Sequence, residues 1–153
     1  APEFAKEVAT RYLEHIRQLV HAMRAAQDRI TECMGKLELL GIDPAKESGG
    51  GIAPSVADGV AKLEELRDDL ATRIIHDSEE IQLAHDRCMK DKITHALWLH
   101  HVQGMTRGKA GRAVDYSADH LRGKGGLKGY QAIYDELSFI EVCELIAIPD
   151  AEA

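Results

Sequence analysis

The chain has 153 residues, of which 44% are hydrophobic and 5% aromatic, and it carries a formal net charge of −7. That length holds one domain, or one small domain with an extension, and the scarcity of aromatics favours an all-α core of Leu, Ile, Val, Ala and Met over a β-sandwich. The acidic balance excludes a chain that coats nucleic acid over its whole surface, but charges more than about 8–10 Å apart are largely screened, so a local basic patch remains compatible.

The three cysteines, Cys33, Cys88 and Cys143, are odd in number, widely spaced and without a C-x-x-C pair. They read as small apolar residues in a reducing compartment. No secretory leader is visible, and no apolar run approaches the ~20 residues that a membrane span needs. The expectation is a cytoplasmic protein with no membrane partner.

Residues 5–40 contain no Pro and a single Gly. Ile16, Leu19, Met23, Ala26, Ile30, Cys33, Leu37 and Leu40 alternate spacings of three and four, the heptad seam of a long helix that seeks a helical partner. Phe4, in the opening Ala-Pro-Glu-Phe, is given no structural weight. Gly41 and Pro44 stop the helix. Residues 41–55 form a flexible connector, and its triple glycine has no G-K-[ST] after it, so it is no phosphate loop. Ser55 caps a second helix, with Asp58 completing a capping box. Val56, Val60, Leu63, Leu70, Ile74, Ile81, Ala84 and Cys88 continue the seam, interrupted at Arg67 and Asp77. Those two either set register or lie exposed at a bend.

The two helices are expected to fold back as a long antiparallel, coiled-coil-like hairpin over residues 5–90, or to pair across a homodimer. Helix then persists, bent or broken, to Gly104, with Ile93, Ala96, Leu97, Leu99 and Val102 on one side and Trp98 beside them. Beyond Gly104 the period shortens to short helices and a turn. A last helix spans 130–148, with Ile133, Leu137, Ile140 and Leu145 as its buried face and Pro149 as its end. A bundle of short helices thus occupies 91–148, and 149–153 is a tail.

Residues 104–130 stand apart. Arg107, Lys109, Arg112, Arg122, Lys124 and Lys128 face only Asp115 and Asp119, a net +4 that leaves −11 on the remainder. Within this segment and the helix before it runs "ALWLHHVQGMTRGKAGRAVDYS", residues 96–117. A helix ends at Gly104. Met105-Thr106 follows, then Ala110-Gly111, Val114, and Asp115-Tyr116-Ser117 opening the next helix. This resembles the helix-turn-helix of region four of bacterial sigma factors, in the version carried by small phage and prophage transcriptional regulators. The likeness covers about the last third of the chain. It implies that Thr106 caps a first helix over 107–113, that Ala110 and Gly111 allow a close helix crossing, and that Asp115 and Tyr116 make the turn. Asp115 stands where the family has Gly. Ser117 would then cap the recognition helix, with Asp119 favourable in its first turn.

On that likeness Ala118, Asp119, Arg122 and Lys124 supply base-edge contacts, His120 either faces the groove or packs, and Arg107, Lys109, Arg112 and Lys128 hold phosphates. The sequence departs from the family at Gly123, Gly125, Gly126 and Gly129. Each costs a helix interior about 1 kcal/mol relative to Ala. These glycines imply a short recognition helix, one that orders only on DNA, or a loop.

No His, Cys or carboxylate spacing suits a metal, no nucleophile motif is present, and neither an enzyme activity nor a cofactor is expected. The leading expectation is therefore a DNA-binding transcriptional regulator whose acidic hairpin dimerises or touches RNA polymerase. The alternatives are a helical interaction or inhibitor module acting on a host protein, and a small terminase-like packaging subunit.

Overall fold

The computed structural model describes residues 1–41 and 54–147, with side chains from 56 onward in the second stretch. The described residues form seven helices and no strand: α1 (Pro2–Leu39), α2 (Pro54–Cys88), α3 (Lys92–His101), α4 (Arg107–Ala113), α5 (Ala118–Arg122), α6 (Lys124–Glu136) and α7 (Phe139–Ala147). The all-α class expected from the sequence is the one observed. The connector with Pro44, the Ser55 cap, Pro149 and the tail lie outside the described residues or side chains.

Contacts divide the chain into two units, Ala1–Leu19 with Glu80–Ala153, and Val20–Glu79. The sequence reading divided it instead at residue 90. α1 and α2 each contribute to both units.

The seam is legible in the burial of both long helices. From Ile16 to Leu37 and from Val60 to Cys88 every seam position is buried or half-buried, the interrupting Arg67 and Asp77 included. Only the outermost positions, Leu40 and Val56, are exposed. In the second unit Leu37 and Val60 form a buried cluster with Leu63 packed on it. In the first, Tyr12 meets Arg87 and His15 lies near Glu80, so a later residue of α1 meets an earlier one of α2, as antiparallel helices require. Gly41, at φ +76°, ends α1 in the left-handed conformation.

The start of α1 corrects the reading of the opening residues. Ala5, Val8, Ala9, Tyr12 and Leu13 are all buried, and the Phe4 ring meets Tyr134 edge-on at 5.9 Å. The helix expected to persist, bent or broken, to Gly104 is broken after residue 88, without a Gly or Pro. Asp91 accepts a hydrogen bond from the Thr94 amide at 2.8 Å, and the buried Thr94 hydroxyl donates to the Cys88 carbonyl at 2.6 Å. An N-cap thus starts α3 anew.

The single helix expected over 130–148 is two. Ser138 and Glu141 form a reciprocal capping box, each side chain accepting from the other's amide at 3.1 Å. The break changes the helical register. Ile133 and Leu145 are buried as expected, but Leu137 is half-buried and Ile140 is 68% exposed.

Glu141 also accepts both guanidinium arms of Arg87, at 2.7 and 2.9 Å, and the same guanidinium reaches the Tyr12 hydroxyl at 3.0 Å. α1, α2 and α7 meet at this fork. The Arg87 hydrogen bonds draw the Glu141 carboxyl down to about 2, while burial pushes the Tyr12 hydroxyl up.

α6 approaches its neighbours closely. A Cβ at Gly126 would overlap the Leu121 carbonyl, and one at Gly129 would overlap Ile93 and Leu97. At Gly59, on the exposed side of α2, a Cβ would meet nothing.

Two predictions follow from this packing. Gly126→Ala is expected to destabilise by about 1–3 kcal/mol through backbone displacement. Gly59→Ala should stabilise by up to about 1 kcal/mol. Urea unfolding of both variants reads the opposite signs. Because the folded Glu141 carboxyl ionises far below its ordinary 4.5, its contribution is present above pH 4.5 and fades as pH falls toward about 2. Glu141→Gln should cost about 1–3 kcal/mol at neutral pH, and stability curves should converge with wild type as the medium is acidified through that window.

Candidate nucleic-acid interface

The segment after α3 is built on two N-caps. Thr106 sits in extended backbone and its hydroxyl accepts from the Lys109 amide at 3.3 Å, starting α4 at Arg107. Ser117 does the same for α5, accepting from the His120 amide at 3.1 Å. The span of α4, 107–113, is the one that the sequence predicts. Ala110 and Gly111 are buried, and a Cβ at Gly111 would overlap the Tyr116 carbonyl. The Tyr116 amide donates to the Gly111 carbonyl at 2.7 Å, closing the turn. Asp115 takes φ +65°, the left-handed conformation that Asp tolerates better than most side chains. α4 packs on α3 and α5, and α6 packs on α3 and α5.

Each of α4, α5 and α6 carries exposed cations. Arg107, Lys109, Arg112, Arg122, Lys124 and Lys128 are all exposed. Arg122 lies 3.9 Å from Asp119, one turn away, with both side chains largely in water. Such a pair is worth little. Among the described residues no carboxylate pairs with the other five. Ser117, Asp119 and His120 are exposed and Ala118 is half-buried. The His120 ring stacks flat on Tyr116, with centroids 4.6 Å apart, so its face is occupied within the protein.

Of the alternatives read in the sequence, a short helix after Ser117 is what the structure has. α5 ends after five residues at Gly123, which also begins α6. Gly125, Gly126 and Gly129 are helical and buried, so the segment is not the alternative loop. Lys124 and Lys128 therefore belong to α6 and not to the helix that carries Arg122. Sequence reasoning also missed Lys92. With Lys128, Tyr116, Asp91, Ile93 and Gly129 it lines an open cleft of about 470 Å³. Nothing in "DKIT" announces that role, since only the fold brings α3 beside α6.

Behind the cations lies a second histidine environment. The His101 Nε2 is 2.7 Å from the Tyr130 hydroxyl, and the His100 Nδ1 is 2.6 Å from the Met105 carbonyl, which requires a proton on that nitrogen. Burial, then the charges of His100, Arg107, Lys6 and Arg17, push the His101 imidazole down to about 4. Lys6 also sits 5.7 Å over the Tyr130 ring. His101 is thus a neutral packing residue beneath a positive surface. No three His, Cys, Asp or Glu side chains gather to hold a metal among the described residues. No described helix is long and apolar enough to cross a membrane.

The His101 shift sets a pH dependence. An unfolded histidine protonates near 6.5, whereas the folded one resists until about 4, so stability should fall as pH drops through that interval. His101→Phe should flatten the slope there, whatever it does to stability at neutral pH, in denaturant titrations at several pH values. No protein-family model matches this chain, and no curated protein or solved structure matches it.

Proposed function

We propose that this chain is a DNA-binding transcriptional regulator of the phage or prophage type, acting in the cytoplasm. In this reading α4, the turn at 114–117 and α5 form a helix-turn-helix like that of sigma region four. α1 and α2 form an antiparallel acidic hairpin that pairs with a second copy or touches RNA polymerase. The observation that carries the proposal is the set of six exposed cations on α4, α5 and α6, five of them without a carboxylate partner among the described residues, on a doubly capped helical frame in a chain of net −7.

Arg107, Lys109, Arg112, Lys124 and Lys128 hold phosphates, and Ser117 to Arg122 meet base edges. Moving Lys124 from base contact to phosphate contact follows from its place on α6. The acidic remainder limits non-specific binding.

A second reading is favoured by the five-residue length of α5. A helix that short offers little to a major groove, and a helical module that binds a protein would carry it without cost.

Fluorescence anisotropy with mixed-sequence duplex DNA separates the two. Five phosphate contacts predict a log–log salt slope of about −4.5. Arg122→Ala/Lys124→Ala should weaken binding by about tenfold or more and, with one of the five phosphate contacts removed, make the slope shallower by about 1. Absence of binding at low salt would retire the regulator and favour the interaction module.

A further inference from the structure

A cleft of about 240 Å³ opens between α1, α2 and α7, within the first of the two units. Tyr12, Ile16, Leu83 and Leu145 give it apolar walls. Tyr12, Ile16 and Leu145 are buried in the fold, whereas Leu83 is 49% exposed. The cleft thus keeps apolar surface in water, and a group that covers it gains by the hydrophobic effect. Pockets for drug-sized ligands run from about 300 to 1,000 Å³. This one is smaller and suits one compact group, about the size of a long side chain.

Charge selects the group. The rest of the lining is His15, Glu80, Glu141 and Glu144. Glu141 is already held by both arms of the Arg87 guanidinium. Glu80 has only His15, at 3.8 Å and with both side chains partly in water, and among the described residues Glu144 has no cationic partner. Arg11, which donates to the Leu145 carbonyl, is tied to Glu7. Two carboxylates therefore lack a full counter-charge beside an apolar wall. An anion is repelled here. A neutral apolar molecule covers the wall but takes water from the carboxylates and returns no hydrogen bond. A cation on an aliphatic stem answers both features.

We propose that this cleft is a binding site for a small organic cation, a guanidinium carried on a short aliphatic stem. The stem lies along Ile16 and Leu83, and the planar head, with five donors, serves Glu80 and Glu144. A free alkylguanidine and an arginine side chain of a partner protein share this chemistry. The site uses α1, α2 and α7 and does not rest on the nucleic-acid reading.

The test titrates the methyl-labelled full chain with butylguanidinium and with butylurea, its neutral counterpart of the same shape. Wild type is compared with Glu80→Gln, Glu144→Gln, the double variant, and the control Glu65→Gln on the other unit. All three positions are exposed, and circular dichroism checks that helix content is kept. The expected result is saturable shifts at the methyls of Ile16, Leu83 and Leu145, with butylguanidinium bound about tenfold more tightly than butylurea. Carboxylates this exposed contribute modestly, so each single variant should weaken binding about threefold and the pair about tenfold. Glu65→Gln should change nothing. A blocked alanine-arginine-alanine peptide separates the two sources. Tighter binding of the peptide than of butylguanidinium supports the site with a partner protein's arginine as its occupant, and the reverse order supports it with a free alkylguanidine. Equal affinity for butylurea, no saturable shift at those methyls, or an equal loss in the control overturns the proposal.

Discussion

The close approach of α6 to α3 and α5 is the contact on which the C-terminal helices depend. Gly125 faces the His120 ring, Gly126 the Leu121 carbonyl, and Gly129 the side chains of Ile93 and Leu97. Together these glycines cost α6 about 3 kcal/mol of helix propensity. The approach they allow keeps Leu97, Leu121, Tyr130 and Ile133 buried, and full burial of a large apolar side chain is worth about 1.5–3 kcal/mol. Burial therefore outweighs propensity, and the segment stays helical despite its composition. The same approach puts Lys124 and Lys128 on α6 directly after Arg122 on α5, so a packing device also assembles the charge.

Electrostatics then sorts the surface of this unit into two kinds. The cations of α4–α6 are exposed and, among the described residues, mostly without a carboxylate partner, while Arg87, Lys90 and Arg11 are each tied to a carboxylate. Near Arg107, His101 remains neutral because burial and neighbouring positive charge both oppose its protonation. Around α7 the balance is reversed: among the described residues Glu144 has no cationic partner, and it lies one turn from the exposed Ile140. An acidic chain can hold a basic face because charge repulsion is local under screening.

Local signals in the sequence carry much of the helical pattern. Helical spacing from Ile16 to Leu37 and from Val60 to Cys88 marks the buried sides of the two long helices, and the caps Thr106 and Ser117 fall where hydroxyls precede helical runs. The signal for the break before α7 was also local, as Ser138 and Glu141 have capping-box spacing, but it lies inside a run whose apolar periodicity masks it. Ile140 was misplaced for that reason. What was illegible needed tertiary knowledge. Nothing near Arg87 predicts a fork to Glu141, 54 residues away, and nothing near Lys92 predicts Lys128. The glycines of 123–129 look like a loop in isolation, and only the neighbours they face explain them.

The most direct test of the nucleic-acid account is amide chemical-shift mapping of the labelled protein titrated with duplex DNA. The account predicts shifts concentrated between Thr106 and Lys128, extending to Lys92, with the amides of α7 unmoved. Shifts confined to α7 or to the long helices, or none at low salt, would contradict it.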